Sequence, residues 1–264
     1  MPAYVSPIGP SRYWKWLQSI RPYKTPLAWC HTTDAYVLRS MIESGVLAPR
    51  LCDVFGEDLL YFFYGRPAFR PVGRIVIDTG GRAPVVVILD PQLAARGTRL
   101  FPFDTGAFVG KRYETWMHCS MQLADFELSC PSDAPQRQVS AFFGDNARYL
   151  RIDARKPAAS YAGLFEVQSL VSLLTDHNTA TSDDRRGAVE LQVTEAIPFE
   201  YPTVRALILP DELFQAPYLQ SFLKSRGAGI EIKEYALTPL RDAREYQYYM
   251  EAQVMRLQAA WGFL

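Results

Sequence analysis

Apolar positions fall into short runs along the chain, and their spacing separates strands from helices. LAWCHTT at 27–33 is an apolar run ending on polar residues, as in a short buried strand. In DAYVLRSMIESGVLAP, directly after it, Val37, Leu38, Met41 and Ile42 recur at helical spacing. Thr33 or Asp34 can cap the start of that helix, and Gly45 stands where a C-terminal cap is expected. A strand therefore runs into a helix, with His31 near the junction. DLLYFFYGRPAFRP at 58–71 reads as an aromatic strand broken by Gly65 and Pro67. Alternation puts Tyr61 and Phe63 on one side of it, Phe62 and Tyr64 on the other. RIVID at 74–78 and APVVVILD at 83–90 read as two more strands, joined by a TGGR turn.

Residues 91–135 are loop-rich, with a short helix expected near 112–124. A strand ending around Phe143 is expected within 140–153. FEVQSLVSLLTD at 165–176 has Val167, Leu170, Val171 and Leu174 on one helical stripe. A polar loop at 175–187 leads into AVELQVTEAIPF at 188–199, which alternates as a strand does. Val189, Leu191 and Val193 share one face, and Glu190 and Gln192 share the other. TVRALILP at 203–210 predicts a strand, 211–227 a helix with a glycine stop, 229–237 a strand and 241–261 a tyrosine-rich terminal helix. Helices and strands do not alternate regularly, so the pattern predicts an α+β fold rather than a doubly wound parallel sheet. Residues 1–26 carry several prolines with Tyr4, Tyr13, Trp14, Trp16 and Tyr23, too many prolines for a long helix. They read as an aromatic arm packed over one domain spanning 27–264.

Composition narrows the class. With 264 residues and 48% hydrophobic content, the chain can bury a large core. Net charge is zero, so a whole-chain basic field for nucleic acid is absent. Arg137, Arg148, Arg151, Arg155 and Lys156 fit a solvated surface. Cys30, Cys52, Cys119 and Cys130 form no CxxC pair and do not suggest a disulfide framework. The N-terminus lacks the apolar stretch of a secretory signal, and no run approaches the roughly 20 apolar residues of a membrane span. A reduced, cytoplasmic protein with no membrane partner is expected.

Three features carry candidate chemistry. In CHTT at 30–33, an imidazole beside two hydroxyls at a strand end can bond sugar hydroxyls. In LLYFFYGRP at 59–67, an aromatic ring facing a cleft can stack on a flat heterocycle, and Arg66 follows at the break. In AVELQV, Glu190 is a carboxylate on an otherwise apolar strand, costly to place there unless it is partnered or faces a cleft. Each alone has a bland counterpart: a structural histidine, a buried aromatic strand, a surface glutamate. Glu195 is the rival carboxylate, nearer the strand end. No metal site is expected, because Cys30-His31 and His118-Cys119 lack zinc spacing and strand neighbours point to opposite faces. There is no GxGxxG fingerprint and no GxxxxGK[ST] loop.

Taken in order, these features resemble the ADP-ribosyltransferase superfamily of the His-Tyr-Glu type. They are most similar to its DarT-like branch, which modifies DNA bases. The matching stretches are HTTDAYVLRSMIESGVL, LYFFYGRPAF and VELQVTEAIPFE. They lie at the start and end of residues 27–210; about 72–160 has no match, and YGRPAFR departs from the branch's pattern. The resemblance implies a split β-sheet core with flanking helices and NAD as co-substrate. It implies that His31, Thr32 and Thr33 hold the ribose and nicotinamide end, that Tyr61 stacks on nicotinamide, and that Arg66 assists phosphates or acceptor. Glu190 would anchor the ribose and promote transfer of ADP-ribose with loss of nicotinamide. Arg185 and Arg186 would face a macromolecular acceptor, nucleic acid or protein. A toxin or phage-defence role, with an antitoxin or regulator as partner, is implied by the resemblance alone. The competing expectation is a non-catalytic module that senses NAD or a nucleotide, or binds a protein, on the same scaffold.

Overall fold

The computed structural model describes residues 4–68, 77, 80–176, 184–238 and 241–264. The chain enters through a short helix, α1 (Arg12–Leu17), where the Ser11 hydroxyl accepts the Trp14 N–H at 3.0 Å. Tyr13, Trp14, Trp16 and Leu17 are buried in the main hydrophobic cluster. Strand β1 (Trp29–Asp34) leads straight into helix α2 (Ala35–Ser44). The Asp34 carboxylate accepts the Val37 N–H at 2.8 Å, and Gly45 closes the helix at φ 79°. These are the caps the sequence offered.

Next come β2 (Val46–Leu47), β3 (Arg50–Cys52) and β4 (Glu57–Tyr64). Gly65 turns the chain out of β4 at φ 65°, and a Cβ there would meet Leu27 Cδ1 at 2.5 Å. Beyond lie β5 (Pro84–Leu89), β6 (Arg99–Phe101), α3 (Thr105–Val109), α4 (Ala134–Phe142), α5 (Asn146–Leu150) and α6 (Phe165–Thr175). The chain ends with β7 (Glu190–Val193), β8 (Ile197–Pro198), β9 (Val204–Pro210), α7 (Asp211–Phe214), α8 (Pro217–Leu223), β10 (Glu231–Tyr235) and α9 (Gln247–Ala260).

The main sheet runs β10-β9-β5-β1-β4-β7-β6, with β3 also paired to β4, and β2 pairs β8 separately. Only β9 and β10 run parallel among these pairs. The sheet is therefore mostly antiparallel, with helices around it, and the expected α+β class holds. One face packs under α9: Ala28, Cys30, Val86, Ile88, Ala206 and Ile208 meet Met250, Val254 and Leu257. Those three α9 residues share one helical stripe, and burying each stabilises by roughly 1.5–3 kcal/mol. The other face carries the larger core.

The pairing has one deep irregularity. β1 matches β5 over six residue pairs but β4 over only two, Trp29↔Tyr64 and Cys30↔Phe63. From His31 onward β1 and β4 part, while β4 pairs β7 from Leu60 and β3 up to Leu59. This parting splits the sheet and opens the space described below.

Several expectations fail for physical reasons. Residues 140–143 form the end of α4 rather than a strand, stopped by Gly144 at φ 88°. Asp145 then caps α5, accepting the Arg148 N–H at 2.8 Å. The helix expected near 112–124 is turn backbone with a short 3₁₀ segment at Leu123–Asp125, and the true helix is α3, capped by Asp104. Residues 211–227 hold two helices, because Pro217 lacks an N–H and starts a helix better than it continues one. RIVID lies outside the described residues except for Ile77, which is buried.

Candidate functional site

A cleft of about 540 Å³ opens at the parting of β1 and β4. His31, Thr32 and Thr33 of β1, Arg50 and Cys52 of β3, and Tyr61 of β4 line it, with α2 behind them. The His31 ring packs against Phe62 at 5.6 Å between centroids. Its Nδ1 lies 2.9 Å from the Tyr61 carbonyl oxygen. A carbonyl only accepts, so Nδ1 carries the proton and donates. The side chain thus spans the gap where β1 and β4 cease to pair. Burial pushes the imidazole pKa below its usual value, which favours the neutral ring. In that form Nε2 is an acceptor, suited to a sugar hydroxyl. The Thr32 hydroxyl oxygen is buried and unpartnered among the described residues, an orphaned polar atom in the cleft wall.

Tyr61 donates its hydroxyl to Cys52 Sγ at 2.7 Å. Burial, the Cys52 contact and the Glu190 charge all raise its pKa, so the phenol stays neutral. The ring is half-buried and lines the cleft, as stacking on a flat ring requires.

Glu190 follows a different logic. Strand register sets it opposite Phe63 of β4 and Phe101 of β6, two positions from the Tyr61↔Gln192 pair. Pairing places Tyr61 and Glu190 on the same face of the sheet. The carboxylate is only 1% exposed and does not line the cleft. Three donors hold it: the Thr105 N–H at 3.0 Å, the Thr105 hydroxyl at 2.7 Å and the Gln192 amide at 2.8 Å. Gln192 in turn accepts the Arg99 Nε–H at 2.8 Å, which fixes its amide orientation. Burial and the neighbouring Asp104 charge raise the Glu190 pKa to about 8, against the lowering effect of those hydrogen bonds. Asp104 is itself paired to Arg185 at 2.7 Å.

The structure therefore brings His31, Thr32, Thr33 and Tyr61 to one cleft and sets Glu190 behind Tyr61, sealed under α3. The expected cationic residues lie elsewhere. Arg66 is 4% exposed and outside the cleft lining. Its guanidinium donates to the Leu150 carbonyl at 2.5 Å and pairs with Glu251 of α9 at 3.5 Å. Arg66 thus braces α5 and α9 at the end of β4 and does not line this cleft. Arg185 is bound to Asp104, and Arg186 is buried. Loop residues 177–183 lie outside the described residues.

Sequence reasoning missed Thr105, Asp104 and Cys52. The Asp-Thr-Gly step at 104–106 carried a helix-start signal, but its partner Glu190 lies 85 positions away. Cys52 had no local signal. Among the described residues no three His, Cys, Asp or Glu side chains are grouped to hold a metal, and no helix is long and apolar enough to cross a membrane.

No family model matches the chain, and no curated protein matches it in sequence. A solved structure it resembles is that of Thermosipho africanus DarTG in complex with ADP-ribose. The match covers 79% of this chain and 50% of that one, at 10% sequence identity and a TM-score of 0.39. The chain thus spans about half the length of that protein, and the likeness is distant.

Proposed function

We propose that this protein is an NAD-dependent ADP-ribosyltransferase that moves ADP-ribose to a macromolecular acceptor, nucleic acid or protein, with release of nicotinamide. The observation that carries the reading is the juxtaposition at the sheet parting: a neutral imidazole, a neutral phenol and, behind them, a carboxylate within electrostatic reach of the phenol. The cleft volume falls in the usual range for a nucleotide-sized ligand. NAD would supply the activated glycosidic bond. His31 Nε2 and the Thr32 and Thr33 hydroxyls would meet its sugar, and the Tyr61 ring its nicotinamide. Glu190, once it gives up the proton that burial and Asp104 favour, would accept a ribose hydroxyl and stabilise positive charge on the sugar as nicotinamide leaves. Thr105 must yield its hydrogen bonds for that contact to form.

The test is nicotinamide release from NAD by the purified chain, with single-stranded DNA, RNA or protein lysate as acceptor. Wild type should release nicotinamide, and Glu190→Gln should lower the rate by about 10²-fold or more. Retention of full release by the variant sinks the assignment of Glu190.

One observation favours a second reading. Glu190 is saturated by Thr105 and Gln192 and closed from the cleft, as suits a structural brace in a non-catalytic NAD- or nucleotide-sensing module. In that case NAD binds wild type and Glu190→Gln alike, and neither releases nicotinamide.

A further inference from the structure

A second cavity, of about 760 Å³, lies where residues 115–121 meet the first turns of α6. It shares no lining residue with the His31–Tyr61 cleft. Trp116, Met121 and Phe165 give it apolar walls, and Phe165 is 63% exposed. The indole is fixed in place, its Nε1–H donating to Asp176 at 3.0 Å. Two carboxylates, Asp125 and Glu166, and one imidazole, His118, also line the cavity, and no lysine or arginine does. In a chain of zero net charge this lining is locally acidic. Asp125 already accepts the Gln122 N–H at 2.8 Å. Glu166 is half-buried and makes no hydrogen bond or ion pair among the described residues.

The chemistry of the lining selects its ligand. An anion would meet two carboxylates. The α6 N-terminus contributes only about half a positive charge, which Glu166 in its first turn more than cancels. A neutral apolar ligand would strip water from Glu166 without replacing it. A cation meets both needs, because aromatic faces attract it and Glu166 partners it. Among cations, a guanidinium fits best: it is planar, stacks on indole or phenyl rings, and offers a carboxylate two parallel N–H groups. The volume exceeds what one side chain fills, leaving space for flanking residues. We infer that this cavity is a docking site for an arginine side chain presented by a partner polypeptide, with the guanidinium against the Trp116–Phe165 wall and paired to Glu166.

The inference is independent of the NAD reading, and its test contains no NAD. A fluorescently labelled Gly-Gly-Arg-Gly-Gly peptide is titrated against the full chain by anisotropy, beside matched peptides with lysine or citrulline. The arginine peptide should bind saturably, with the lysine peptide weaker and the citrulline peptide weaker by about tenfold or more. Glu166→Gln and, separately, Phe165→Ser should each weaken the arginine peptide by a similar factor while the urea midpoint stays at the wild-type value. Both positions reach solvent, so neither change should unfold the chain. No saturable binding, equal binding of the citrulline peptide, or an unaffected Glu166→Gln variant overturns the site. Equal binding of the lysine peptide overturns the guanidinium. Free arginine competing as tightly as the peptide overturns the polypeptide partner.

Discussion

Replacing Glu190 by glutamine should make the protein more stable at neutral pH and less stable in mild acid. Unfolded, this carboxyl titrates near 4.5; folded, burial and Asp104 raise it to about 8. Between those values the folded chain holds a proton that the unfolded chain has released. Stability from the neutral carboxyl is fully present below pH 4.5 and is lost as pH rises toward 8. The loss runs at about 1.4 kcal/mol per pH unit, which reaches roughly 3 kcal/mol by pH 7. Glu190→Gln removes this titration. Its amide also brings extra N–H character to a spot where Thr105 and Gln192 already donate, a mismatch costing about 1–2 kcal/mol. The variant should therefore be less stable by about 0.3–1.3 kcal/mol near pH 5 and more stable by about 1–2 kcal/mol at pH 7, with the sign changing between about pH 5 and pH 6. Urea denaturation at pH 5, 6, 7 and 8 reads this directly, provided both chains keep the same m-value. A stability difference that stays constant across that range would refute the reasoning, because it would mean Glu190 ionises as an ordinary carboxyl.

Other positions give simpler outcomes. Thr105→Val removes the hydroxyl that bonds Glu190 and should lower stability by about 1.5–3 kcal/mol in urea at pH 7. His31→Phe keeps packing against Phe62 but removes the bond to the Tyr61 carbonyl, so NAD affinity by calorimetry should fall about tenfold or more while the chain stays folded. Arg66→Met should leave NAD affinity of the folded chain unchanged yet shift the unfolding midpoint, because the partner Glu251 and the Leu150 carbonyl lose their donor. Asp34→Ala should cost about 1 kcal/mol by removing the α2 cap, measured by thermal denaturation.

What the sequence revealed was mostly what local chemistry decides. Asp34 and Gly45 announce α2 because caps act within one turn. The alternation of Tyr61 to Tyr64 and of Val189 to Val193 marks two strands of the site, whereas their pairing side by side shows only in the structure. Phe142 and Phe143 misled, since adjacent aromatics suit a strand, although Gly144 and Asp145 beside them punctuate helices. The surroundings of Arg66 were not legible. Nothing near a strand break tells whether a guanidinium meets solvent or is covered by a helix, and here α9 covers it. The seal over Glu190 was also illegible, because Thr105 approaches from far along the chain and its residue type is common.

The parted sheet has a mechanical consequence. β10, β9, β5 and β1 form one plate; β4, β7 and β6 form another, and two residue pairs join them at one corner. Past that corner no backbone ladder joins the plates, and they are held by side chains: the His31 bridge and the shared core in which Trp29, Val85 and Val87 cluster with Phe62, Leu100 and Leu191. A guest that wedges the plates apart works there against side-chain contacts rather than a row of backbone bonds, so the width of the cleft is set as much by its occupant as by the empty protein.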